Sequence, residues 1–219
     1  MHIKKSKMPK AWPIARKGKT QRFVAVPSHS TSQGITILYL LRDVLKIATT
    51  RKEVKKILFQ KDIKINNKVR KDDAFPVQVF DTISLEKGNK HYRLEIINKK
   101  FQLKEISKKE AEEKIVKISN KTTLEKNKTQ MNLEDGSNIL TEEKFSVGDS
   151  VIINTKANKI NKILSLKKGA KVEIVIGKHA GQKGEIVDFE KLKRGKDYSI
   201  KLENGKIVSL PYKTILVIA

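Results

Sequence analysis

Hydrophobic and polar positions first settle into a period near residue 35. Ile37, Leu38, Leu41, Val44 and Leu45 recur at helical spacing, which predicts a first helix. A second helix is expected from Thr50. Thr50 and Glu53 stand at the spacing of a capping box, in which hydroxyl and carboxylate satisfy the orphan amides of the first turn. At 100° per residue, Arg51, Lys52, Lys55 and Lys56 fall on one arc of roughly 140°, and Val54, Ile57 and Leu58 on another. Such a helix offers one face to a core and a face of a single charge sign to its surroundings. Like charges at that spacing repel unless a partner neutralises them, which weighs against a merely solvated face.

The period then changes to two. Ile63 and Ile65 alternate, Asn66-Asn67 marks a turn, and Val69 continues beyond it. Val77, Val79, Ile83 and Leu85 suggest further strands with a bend at Asp81-Thr82, and Tyr92, Leu94 and Ile96 form another. Residues 100–170 read as mostly β, except for a short helix over 108–114. Asp135-Gly136 is a hairpin-type turn, Val147-Gly148-Asp149 opens a strand, and the lysine-rich runs at 120–130 and 154–162 are connecting hairpins. From 171 the pattern is plainly β: Val172, Ile174 and Ile176 alternate, and Glu185-Ile186-Val187 resumes after a glycine-rich loop at 177–184. Asn204-Gly205 predicts a two-residue hairpin, and Leu216-Val217-Ile218 closes a small sheet. The fold class is α+β, predominantly β.

Residues 1–34 lack either period. They carry Lys4, Lys5, Lys7, Lys10, Arg16, Lys17, Lys19 and Arg22, and the first acidic residue is Asp43. With Pro9, Pro13 and Pro27 they read as a basic tail, disordered alone and ordered on a phosphate surface. Trp12 within it either stacks on a base or plugs a crevice of its own domain.

The tail is the local form of a global surplus. Lys and Arg number 48 against 24 Asp and Glu, a formal charge of +24. Self-repulsion of that size is relieved by a polyanion, and each cation that meets a phosphate releases condensed counterions. Nucleic acid is the partner implied, with an anionic membrane surface as the rival. The N-terminus is charged where a signal peptide needs an apolar core, and the longest apolar run, 35–41, is too short to span a bilayer. A soluble, non-exported protein is expected. With no cysteine, disulfides, thiolate nucleophiles and Cys-ligated zinc are excluded, and the scattered His2, His29, His91 and His179 have no paired ligand spacing, so no metal site is expected. No cofactor is expected.

The 177–184 loop fails as a Walker-type phosphate loop, because Gly177-Lys178 is followed by His179 and a strand follows Gly184. It remains a tight strand–loop–strand turn bearing Lys178, His179 and Lys183, either an RNA edge or an ordinary solvated turn. No nucleophile–base–orienter set emerges, so the chain is read as a non-enzyme. Aromatic content is only 5%, so contacts to phosphates and to RNA shape should dominate over base stacking.

The order of KAWPIARK (10–17), the stretch from Ile37 to Leu85, ISKKEAEEKIVKISNKTT (106–123), LEDGSNIL (133–140) and GKHAGQKGEI (177–186) closely resembles the archaeal and eukaryotic small-subunit ribosomal protein family S-four-e. The resemblance runs from about residue 8 to the C-terminus and is most specific over 51–85. It implies four segments: a basic extension (1–35), a two-helix S-four-type RNA-binding module with a small sheet (36–99), a family-specific central β domain (100–170), and a KOW-type, SH3-like barrel (171–219). It further implies binding to small-subunit ribosomal RNA beside neighbouring ribosomal proteins in the cytoplasm, without catalysis or a small-molecule substrate. The module's RNA face would include Arg42, Arg51, Lys52, Lys55, Lys56, Lys61, Lys68 and Arg70. The tail cations and Trp12 would join it, and Lys178, His179 and Lys183 would approach RNA on a turn shaped by Gly177, Gly181 and Gly184. Two departures stand out: Ser28-His29-Ser30 replaces the family's Gly-Pro-His, and the long eukaryotic C-terminal extension is missing, which gives the chain an archaeal look. An RNA-modifying enzyme that borrowed the module, or a KOW-containing transcription or translation factor, are the alternatives.

Overall fold

The structure, a computed structural model, describes residues 2–17, 22–28, 31, 34–124, 128–192 and 195–218. The chain divides into two compact units, Met1–Lys114 and Ile115–Ala219, each mostly β.

In the first unit, β1 (His2–Lys4) pairs antiparallel with β2 (Phe23–Ala25). β3 (Gly34–Thr36) leads into α1 (Ile37–Tyr39), whose helical path continues through a π-helical stretch, Leu40–Val44, closed by Leu45 N–H donating to Leu40 O at 2.8 Å. Leu38, Leu40 and Leu41 are buried, as their spacing requires. α2 (Arg51–Phe59) starts where expected: Thr50 accepts from the Glu53 amide and the Glu53 carboxylate returns to the Thr50 amide. Val54 and Leu58 are fully buried beneath it.

β4 (Ile63–Ile65), β5 (Lys68–Val69), β6 (Pro76–Gln78), β7 (Thr82–Leu85), β8 (Lys90–Ile97) and β9 (Lys100–Ile106) follow. Five of them make an antiparallel sheet in the order β5-β4-β7-β8-β9, while β6 pairs with β3. Two tight turns set the register. Asn66-Asn67 (φ 47° and 63°) joins β4 to β5, and Asn98-Lys99 (φ 51° and 64°) joins β8 to β9. Both residues of each turn are left-handed, the mirror-image geometry that suits twisted strands. Val79, expected in a strand, lies in the turn after β6 instead.

The expected helix over 108–114 is real but shorter, α3 (Lys108–Ala111), capped by Ser107 and Glu110. It stops because Glu113 opens the next strand and Lys114 is drawn into the interior, where its ammonium meets Asp81 Oδ1 at 2.7 Å. Burial outweighs the helical propensity of the run.

The N-terminal segment corrects the expectation of a disordered tail. Besides the β1–β2 pairing, Met8 and Trp12 are buried and the Phe101 amide donates to Ala11 O at 2.8 Å. A few apolar residues spaced through the basic run are enough to seat it, because one indole buries roughly 150–250 Å².

The second unit holds two five-stranded sheets. One takes β10 (Glu113–Thr123), β11 (Thr129–Leu133), β12 (Asn138–Thr141), β13 (Ser150–Asn154) and β14 (Lys159–Leu164) in the order β12-β11-β10-β13-β14. Its core is Val116, Ile118, Met131, Leu133, Phe145, Val151 and Ile153. The other takes β15 (Lys171–Ile174), β16 (Lys183–Leu192), β17 (Gly195–Leu202), β18 (Ile207–Pro211) and β19 (Ile215–Val217) in the order β18-β17-β16-β15-β19. Val172, Ile174, Ile186 and Ile200 lie at its core. The β17–β18 hairpin departs from the two-residue turn expected at Asn204-Gly205. Leu202 N–H donates to Lys206 O at 2.9 Å, and of the loop residues only Gly205 (φ 76°) is left-handed. This is a three-residue loop ending in a glycine bulge.

Candidate RNA interface

Thr50 and Glu53 fix where α2 begins, and so which side chains it turns outward. Arg51, Lys52, Lys55 and Lys56 are all exposed, opposite buried Val54 and Leu58. The Thr49 amide on the Glu53 carboxylate, seconded by the Thr50 hydroxyl, holds that acid below the usual carboxylate range, so the cap stays ionised. The basic face is partly answered from within the chain. Buried Asp73 accepts from Arg51 Nε at 2.5 Å and lies 3.9 Å from Lys55 Nζ. The hydrogen bond to Asp73 raises the Arg51 pKa further. Asp73 braces these two side chains at their base, while Lys52 and Lys56 project with no ion pair among the described residues. Asp73 comes from a loop 22 residues after Arg51, too far along the chain for helical spacing to reveal it.

Other module residues divide. Lys61, left-handed at φ 62° after α2, and Lys68, opening β5, are exposed. Arg70 places its guanidinium carbon 4.4 Å from the Phe75 ring centroid, a cation–π contact within the chain. Arg42 is largely covered: it pairs with Asp43 at 2.9 Å and sits 5.1 Å from the Tyr39 ring centroid. Burial raises the Tyr39 pKa, and its hydroxyl accepts from the Ala25 amide at 2.7 Å.

On the N-terminal segment, Lys4, Lys7, Lys10, Arg16, Lys17 and Arg22 are exposed, Arg16 donating to Met8 O, and Lys5 is half-buried. Lys19 lies outside the described residues, as do His29 and Ser30. Trp12 is a correction. At 1% exposure, with its Nε1–H on Gly34 O at 3.1 Å and its ring 5.9 Å from Tyr39, it cannot stack on a base and instead anchors the segment.

The 177–184 loop is held by its own backbone, with Gly181 N–H donating to Ile174 O at 2.7 Å and Gln182 N–H to His179 O at 3.1 Å. Gly177 and Gly181 take φ of 108° and 84°, where a side chain is strained. Gly184 has a different role from the one expected. It lies in β16, where an added Cβ would fall 2.5 Å from Lys201 O, so it permits strand contact and does not shape the turn. Lys178 and Lys183 are exposed, but His179 is half-buried, with Nδ1 2.9 Å from Gln182 Oε1. Among the described residues no His, Cys, Asp and Glu group suited to a metal is present, and no helix is long and apolar enough to cross a membrane.

Residues 40–83 match the S4 domain and residues 88–160 match ribosomal family S4e. Small ribosomal subunit protein eS4 of Methanocella arvoryzae is 37% identical over 192 residues, covering 86% of this chain and 81% of that protein. The eS4 protein of Methanosphaera stadtmanae is 36% identical over 205 residues, covering 92% and 85%. The crystal structure of 30S ribosomal protein S4e from Thermoplasma acidophilum superposes with a TM-score of 0.73 at 26% identity, covering 86% of this chain and 96% of that one. Fold, basic surfaces and relatives together define a ribosomal structural protein, which is not an enzyme class. More narrowly, the chain belongs to ribosomal family S4e.

Proposed function

We propose that this chain binds and stabilises small-subunit ribosomal RNA as a structural constituent of the small ribosomal subunit in the cytoplasm, without catalysis. The observation that carries the reading is α2, which is sealed on its apolar side and presents Arg51, Lys52, Lys55 and Lys56 outward. Residues 36–99 would serve as the S4-type module, with β9 extending its sheet. Residues 100–170 would form the family-specific β part, and 171–219 a KOW-type barrel whose Lys178 and Lys183 add a second phosphate contact. Exposed cations of the N-terminal segment add a third. Neighbouring ribosomal proteins are the other partners.

The test is binding of the full chain to a small-subunit ribosomal RNA transcript across salt concentrations. The slope of log affinity against log salt should be steep, and should flatten by roughly one per phosphate contact removed. Replacing Lys52 and Lys56 by Gln should flatten it by up to about two. Adding Arg51→Gln and Lys55→Gln should do less per residue, because Asp73 already engages both. An unchanged slope would show that α2 faces solvent.

A further inference from the structure

The basic face of α2 contains a residue that charge does not explain. Phe59, the last residue of the helix, is 74% exposed, the largest exposure among the large hydrophobic residues described. At 100° per residue it lies roughly 80° round from Arg51, inside the arc of roughly 140° that holds the four cations. Lys71, from the loop after β5, places its ammonium 5.7 Å from the Phe59 ring centroid. The apolar face of α2 is already filled by Val54 and Leu58, so Phe59 does nothing for the core. An exposed phenyl ring with one ammonium against it, and Lys55 and Lys56 four and three positions before it on the helix, is a poor surface for water. It is also a poor seat for an apolar protein knob, which would have to desolvate Lys56 and Lys71 without a counter-charge. A nucleotide satisfies both needs at once, because its base has a π-face for the ring and its phosphates answer the ammoniums.

We propose that Phe59 is a stacking platform for one unpaired base of the bound RNA, with Lys55, Lys56 and Lys71 holding the phosphates beside it. The proposal rests on the RNA-binding reading above. It adds to that reading a single-stranded or bulged element at the end of α2, beyond the phosphate contacts that dominate elsewhere.

Full-length protein is titrated onto the small-subunit ribosomal RNA transcript as Phe59→Leu and Phe59→Trp. Phe59→Leu keeps apolar bulk and removes the π-face, and the exposed position keeps the core intact. We expect it to weaken binding by about 5- to 150-fold with the salt slope unchanged, because no phosphate contact is lost. Phe59→Trp should bind at least as tightly as the native chain, and its fluorescence should be quenched on binding. A benzophenone side chain at position 59, photolysed within small subunits, should crosslink to ribosomal RNA. Native affinity for Phe59→Leu, or a crosslink to a neighbouring protein, would overturn the proposal. A flat salt slope for the native chain would instead sink the RNA-binding reading beneath it, so the two failures are distinguishable.

Discussion

Lys117 makes a sharp test of how the second unit is held together. Its side chain is buried at 5% exposure, donating to the carbonyls of Tyr212 and, at 3.0 Å, Ile215, with the ammonium 5.3 Å from the Tyr212 ring centroid. Burial pushes its pKa down to about 8, with nearby Lys213 adding to the effect and Glu134 opposing it. In the unfolded chain the same lysine holds its proton to about 10.4. Between those values the unfolded state binds more protons than the folded one, so stability rises with pH across the window. A gap of roughly 2.4 units at about 1.4 kcal/mol each gives about 3 kcal/mol gained from pH 7 to pH 10.5. The rest of a chain with charge +24 also gains from losing protons, so the quantity to measure is the difference between the native chain and Lys117→Met. Urea unfolding at fixed ionic strength, followed by far-UV circular dichroism, gives both curves. Fluorescence of Trp12, the only tryptophan, separately reports the first unit. The native curve should climb toward or past that of Lys117→Met by about 3 kcal/mol. Parallel curves would show that the ammonium is not desolvated and would refute the reasoning.

Two further perturbations probe the first unit. Trp12→Ala should cost roughly 3–5 kcal/mol and release the N-terminal segment, read as a lower urea midpoint and faster proteolysis before residue 28; unchanged proteolysis would mean that the strand pairing alone holds it. Asp81 receives the Lys114 ammonium at 2.7 Å, the Asn66 amide at 2.8 Å and the Gln78 backbone N–H at 2.8 Å. Asp81→Ala should therefore destabilise by roughly 3–5 kcal/mol, and Lys114→Met in the same chain should recover part of that loss because the facing charge goes too. An additive double variant would argue against coupling.

Local patterns carried much of this fold in the sequence. The Thr50–Glu53 cap and the split between Val54, Leu58 and the cations were legible because one helix contains every part of the signal. The Asn66-Asn67 turn was legible for the same reason. What failed was what depended on partners distant in sequence. Asp73 bracing Arg51, and Asp81 drawing Lys114 out of an extended α3, are encounters that no local period announces. The N-terminal segment reads as a loose tail because its charge is dense and its apolar residues sparse, and the β1–β2 pairing with buried Met8 and Trp12 decides otherwise. Phe59 is different. Its place on the arc was computable, but an aromatic residue at a helix end is ordinarily taken for core, and only its exposure separates the two.

The seating of the N-terminal segment bears on how an encounter with RNA unfolds. A loose arm gives up about 1–2 kcal/mol of backbone freedom for every residue it immobilises on a partner. Here the pairing of β1 with β2 and the indole on Gly34 settle that loss during folding, so in the proposed complex Lys4, Lys7 and Lys10 would reach phosphates from a fixed template. The expected signature is quick docking with little change in heat capacity, in contrast to the slow wrapping of a disordered strap.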